Sequence, residues 1–135
     1  MKARICRQLD ALWNLGDLLA ADEIYAADFL AHSPAGPPIR RGAAGEQARV
    51  VAVRTALTDV QLVLEDAVTE GDRLAIRWAL RGLDPGVPGS GGTAQVVTVA
   101  GMTLFRLAGG HVVEAWESID VLEQLAEARV PVTAG

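Results

Sequence analysis

Apolar positions along the first half of the chain recur at helical spacing. Ile5, Leu9, Leu12 and Trp13 fall three and four apart and form one stripe of a first helix, with Asn14 and Gly16 suited to its end. Asp17 can cap a second, short helix that carries Leu18, Leu19, Ile24 and Tyr25. Phe29 to His32 reads as extended, and Ser33-Pro34-Ala35-Gly36-Pro37-Pro38 reads as a loop. A third helix is expected over Ala43 to Ala56, with Val50, Val53 and Leu57 on its inner side.

The period then changes to two. Val60, Leu62, Leu64 and Asp66 alternate with Gln61, Val63 and Glu65, the pattern of a strand. Glu70-Gly71-Asp72 is a tight turn. Leu74, Ile76, Trp78 and Leu80 alternate with Ala75, Arg77, Ala79 and Arg81. Gly82 to Gly92 is a glycine- and proline-rich loop. Gln95 to Arg106 forms a long strand in which Gly101 marks an expected bulge or bend. Ala108-Gly109-Gly110 turns the chain, His111 to Ile119 is the last strand, and Val121 to Ala128 a short terminal helix. Three helices followed by four antiparallel strands is the α+β class. A strongly bent sheet wrapped over the helices leaves a cavity between the two layers.

Length adds that 135 residues make one domain, 1–135, with room for a core. Half of the residues are apolar and 21% are charged, which is globular composition. A formal net charge of −5, with no basic cluster beyond the Arg40-Arg41 pair, argues against a nucleic-acid partner. No apolar run is long enough to span a bilayer, and the N-terminus has no signal-peptide core, so no membrane partner and a cytoplasmic location are expected. Cys6 is the only cysteine, which excludes an internal disulfide and a cysteine-based metal cluster.

Several segments carry a family resemblance. Glu70 to Trp78, Gly101-Met102-Thr103-Leu104-Phe105-Arg106, and Gly110 to Trp116 with Asp120 resemble the SnoaL-like polyketide cyclase family, as does the His32–Pro34 pair after the helices. The resemblance runs from about Leu12 to Leu125. It implies the cone-shaped barrel of the nuclear transport factor two superfamily, in which a curved antiparallel sheet encloses a pocket. It further implies an intramolecular aldol ring closure without metal or organic cofactor, on a small apolar polyketide-like substrate, by a homodimer. Where the family cyclases carry a Gly-Thr-His run after the second strand, this chain has Gly82-Leu83-Asp84-Pro85-Gly86. That departure opens epoxide hydrolysis, hydroxylation or isomerisation on the same fold, and a non-catalytic small-molecule binding module, as alternatives.

The resemblance places the acid/base residue on Asp120. Parity on the last strand puts Glu114, Trp116, Ser118 and Asp120 on one face, and a carboxylate at the floor of an apolar pocket has a raised pKa suited to proton transfer. Asp120 could instead cap the terminal helix. His32 is a candidate to polarise a carbonyl or pass a proton, or a loop histidine with a packing role. Arg77 either faces inward to pair with Asp120 or outward to solvent or a second subunit. Trp13, Trp78 and Trp116 are candidate pocket walls, Ser118 shares the Trp116 face, and Tyr25 could donate a hydroxyl. His111, beside a Gly-Gly turn, reads as exposed. The glycine-rich loop lacks the features of a phosphate loop, and no His/Asp/Glu spacing indicates a metal.

Overall fold

The computed structural model describes residues 1–34, 36–86 and 94–120. The expected terminal helix, Val121 to Ala128, and the middle of the glycine-rich loop lie outside them. Helix α1 (Lys2–Asn14) buries Ile5, Leu9 and Leu12, the stripe its spacing sets up. At its end the Asn14 side chain acts as a strand mimic. Its amide nitrogen donates to the Leu62 carbonyl at 3.0 Å and its oxygen accepts from the Leu62 N–H at 2.5 Å. Helix α2 (Leu19–Ile24) starts at Leu18 without a side-chain cap; the Asp17 main-chain carbonyl, not its carboxylate, accepts from Ala20. Helix α3 covers Gly42–Ala56. None of the described helices is long and apolar enough to cross a membrane.

Among the described residues, six strands form one sheet: β1 (Tyr25–Ser33), β2 (Gly36–Arg40), β3 (Thr58–Glu70), β4 (Arg73–Asp84), β5 (Gln95–Ala108) and β6 (His111–Ile119). Their order is β2-β1-β6-β5-β4-β3, antiparallel except for the parallel β1–β6 pair. Helices segregated against a mostly antiparallel curved sheet confirm the α+β class and the fold of the nuclear transport factor two superfamily. Expectations about the strands change as well. Gly36 to Pro38, read as loop, belong to strand β2, which pairs with β1 and holds Pro37 and Pro38 at the sheet edge, where proline costs no ladder bond. The sheet is also open, with β2 and β3 as edges, and does not close into a barrel.

The core lies between the helices and the inner sheet face. Ile5, Leu12, Ile24, Leu74, Ile76 and Val112 are essentially fully buried there. Among the register shifts of the sheet, those at Glu65 and Val113 exchange which residues reach that face. In β3, Leu64 pairs with Trp78 but Asp66 pairs with Arg77, so Glu65 is an extra residue. In β6, Val112 pairs with Leu107 but Glu114 pairs with Arg106, so Val113 is extra. Each insertion shifts the alternation by one and exchanges the faces beyond it. Gly101, by contrast, is no bulge. It pairs with Trp78 and Ile119 in unbroken register. A Cβ there would stand 2.7 Å from Trp78 Cζ2 and 2.7 Å from the Ser118 carbonyl oxygen, so the glycine makes room for the indole.

Candidate active site

A cavity of about 230 Å³ opens between the helices and the inner face of the sheet. Its apolar walls include Leu9 and Trp13 from α1, Phe29 from β1, Leu64 from β3, Ile76 from β4 and Phe105 from β5. Part of the lining is a connected polar network. Helix α3 brings Glu46 and Arg49 to it one turn apart, on the side of the buried Val50. Arg49 Nη1 donates to Glu46 Oε1 at 2.7 Å and to Oε2 at 3.0 Å. Arg41 Nη1 donates to Glu46 Oε1 at 3.3 Å. Arg49 Nη2 reaches across to Glu117 Oε1 on β6 at 3.2 Å. The Thr103 hydroxyl donates to Glu117 Oε2 at 3.1 Å and accepts from Trp78 Nε1 at 2.9 Å. Charges removed from water are tolerable only when paired in this way.

The two carboxylates differ in what they can still do. Glu46 is only 4% exposed and its oxygens take three guanidinium hydrogen bonds. Glu117 is more open, and each of its oxygens takes one described donor. A carboxylate offers about four acceptor positions, so Glu117 keeps capacity toward the cavity. Burial would lower the Arg49 guanidinium, but Glu46 and Glu117 outweigh it and hold its pKa above the usual arginine value. Tyr25, 5% exposed, also lines the cavity. Burial pushes its pKa well above 10, and Glu46 pushes it further, so it remains an O–H donor. The site can therefore present a proton acceptor, Glu117, and a neutral donor, Tyr25, to one bound molecule. Among the described residues no three His, Cys, Asp or Glu side chains group so as to hold a metal ion.

Of the residues anticipated from sequence, Trp13, Trp78 and Tyr25 line the cavity. The Trp116 face does not. The Val113 bulge turns Ala115, Glu117 and Ile119 inward and Glu114, Trp116 and Ser118 outward. Trp116 stacks on the His32 ring at 5.0 Å and 4°, with the Arg73 guanidinium 5.3 Å from its centroid. His32 borders the cavity, but its ring is committed to the outer side, where Nε2 lies 2.5 Å from Glu114 Oε2. The hydrogen bond from His32 lowers the Glu114 pKa, and Arg106, at 3.0 Å, lowers it further. Ser118 is exposed. Arg77 is exposed on the outer face, 3.5 Å from Glu65 Oε1, because its strand turns Leu74, Ile76, Trp78 and Leu80 to the core. Asp120 is exposed outside the cavity, and its N–H donates to the Ala100 carbonyl at 3.0 Å. His111 is exposed, as expected.

Glu46, Arg49, Thr103 and Glu117 were not anticipated. The usable signal for Glu117 was composition: Ala115 and Ile119 flank it two residues away on an apolar face, whereas Glu114 and Ser118 flank Trp116 on a polar one.

A protein-family model described as SnoaL-like polyketide cyclase matches residues 3–128. Solved structures share the architecture. TsrD from Streptomyces laurentii superimposes with a TM-score of 0.78 over 96% of this chain and 95% of that one, at 22% identity. IdmH, a candidate polyketide cyclase from Streptomyces antibioticus, gives 0.78 over 96% and 99%, at 26% identity. AclR, a candidate hydroxylase from Streptomyces galilaeus, gives 0.76 over 96% and 97%, at 23% identity. No curated protein sequence matches the chain.

Proposed function

The chain belongs to the SnoaL-like polyketide cyclase family, and from that premise we propose that it is a polyketide cyclase that closes a ring by an intramolecular aldol-type reaction. Glu117 removes a proton from the carbon next to a carbonyl. The resulting enolate oxygen accepts a hydrogen bond from Tyr25, in the field of the Arg49 guanidinium. The carbanion attacks a second carbonyl carbon of the same chain, and the alkoxide formed takes the proton back from Glu117. The apolar walls fold the substrate and exclude water, which strengthens the fixed donors.

One observation carries this reading: the carboxylate with spare acceptor capacity and the tyrosine line the same largely apolar cavity. Epoxide opening by paired acids around Arg77 loses its basis, since Arg77 stands on the outer face. The test uses 2-tetralone, an enolisable ketone, in deuterium oxide. NMR should show faster exchange of its α-protons with the protein than without it. No acceleration overturns the proposal. In a full conversion, product free of oxygen from labelled water separates cyclisation from hydrolysis or hydroxylation.

We also propose that a second copy covers the outer sheet face. Met102, Val68 and Val63 are exposed there. They sit among Arg73, Arg77 and Arg106 and among Glu65, Asp66 and Glu114, a mixture of signs that a twofold contact can match to itself. Light scattering should give a dimer, and Met102→Asp should shift it to monomer. A wild-type monomer at micromolar concentration contradicts the contact.

A further inference from the structure

Three neighbouring strands each bring one member of a hydrogen-bonded chain to the cavity: Trp78 on β4, Thr103 on β5 and Glu117 on β6. Thr103 pairs directly with Glu117 across the ladder, and Trp78 pairs with Gly101, two residues before Thr103. A Cβ at position 101 would stand 2.7 Å from Trp78 Cζ2, so the glycine lets the indole lie where its N–H meets the threonine. Thr103 is only 5% exposed, which leaves its hydroxyl dependent on these two partners.

The direction of each bond follows from the donor inventory. An indole N–H only donates, and a hydroxyl has one hydrogen and two lone pairs. Trp78 Nε1 donates to Thr103 Oγ1 at 2.9 Å and fills one lone pair. The threonine hydrogen goes to Glu117 Oε2 at 3.1 Å. A hydroxyl that already accepts a hydrogen bond donates a stronger one. A donor aimed at a carboxylate favours its ionised form, and Arg49 acts in the same sense at Oε1.

We infer that Thr103 and Trp78 are positioning residues for Glu117: the indole aims the threonine hydroxyl at Oε2, and the hydroxyl keeps the carboxylate free of a proton and fixed toward the cavity. This rests on the reading of Glu117 as the base and adds what sets its protonation and aim. The other charged or titratable groups that face Glu117 among the described residues are Arg49 and Glu46 on α3, Arg41 just before that helix, and Tyr25 on β1. His32 on β1 borders the same cavity, with its ring bonded to Glu114. All of these stay in place when Thr103 or Trp78 is changed.

The test follows the isotope-labelled Glu117 carboxyl carbon by NMR through a pH titration of the full chain, with its signal assigned by its loss in Glu117→Gln. Removing a hydrogen bond to a charged group shifts a titration by about one pH unit or more. Thr103→Val should therefore raise the midpoint by about one unit, and Thr103→Ser, which keeps the hydroxyl, should return it to the wild-type value. Trp78→Phe should raise it less, and should add nothing to Thr103→Val, because the indole acts through the hydroxyl. The acid limb of 2-tetralone exchange should move with the midpoint in each variant. An unchanged midpoint in folded Thr103→Val overturns the inference, as does a Trp78→Phe shift that is as large on top of Thr103→Val as alone. Should Trp78→Phe fail to fold, the two threonine variants decide. Midpoints that move as expected in a protein that exchanges no 2-tetralone proton keep the control of Glu117 and lose the cyclase reading. Exchange with unmoved midpoints does the reverse.

Discussion

Arg49 Nη2 lies 3.2 Å from Glu117 Oε1, and this ion pair ties helix α3 to strand β6 across the cavity. The same guanidinium holds Glu46, which is nearly inaccessible to water. Removing the guanidinium leaves Glu46 with Arg41 alone and Glu117 with Thr103 alone. Arg49→Leu should therefore lose about 1–3 kcal/mol in urea denaturation. Equal stability of Arg49→Leu and wild type would show that the pair is solvated.

Tyr25 is the only tyrosine, so ultraviolet titration reads it alone. Burial raises its folded pKa well above 10. The folded state therefore holds this proton more tightly than the unfolded chain. The associated stability is complete below pH 10, where both states are protonated, and declines above it as the unfolded chain ionises. Tyrosinate absorbance should appear only together with unfolding. A smooth titration near 10 in folded protein would place the hydroxyl in water.

Asn14 satisfies both backbone groups of Leu62 on edge strand β3. Asn14→Ala leaves that N–H and carbonyl without their partner and should cost about 1–3 kcal/mol by urea denaturation. It should leave 2-tetralone exchange intact. A change within error would mean that water replaces the amide.

Glu114 stands outside the cavity and is held by His32 and Arg106. The hydrogen bond from His32 depresses its folded pKa below the ordinary 4.5. Its contribution is present above 4.5 and is lost as pH falls through the lower folded value. Glu114→Gln should therefore be less stable than wild type at neutral pH, with the two melting curves converging in acid. A constant gap from pH 7 to pH 3 would refute the linkage.

The fold was legible because its long elements repeat cleanly. The Ile5–Leu9–Leu12 stripe and the alternation from Leu74 to Leu80 each predict the side that is buried. Strand β2 was hidden by Pro37 and Pro38, which read as loop until the strand is known to lie at an edge. The site was hidden by one residue. With regular alternation from Val112, the inward set would be Glu114, Trp116, Ser118 and Asp120. Val113 inserts into β6 and the inward set becomes Ala115, Glu117 and Ile119. A bulge depends on pairing with a distant strand, so its place is not written in local periodicity. Gly101 drew the expected irregularity instead, although its glycine is required by the Trp78 indole. Glu46 and Arg49 escaped notice for a related reason: on a helix they look like a solvated pair, and only the sheet opposite makes them a cavity wall.

The most direct measurement compares Glu117→Gln with Asp120→Asn in the 2-tetralone exchange assay, after both variants are shown to be folded. Loss of a general base costs about 10²–10⁴-fold. Glu117→Gln should lose acceleration on that scale while Asp120→Asn, altered outside the cavity, exchanges like wild type. Full acceleration by Glu117→Gln, with the loss appearing in Asp120→Asn, would contradict the account.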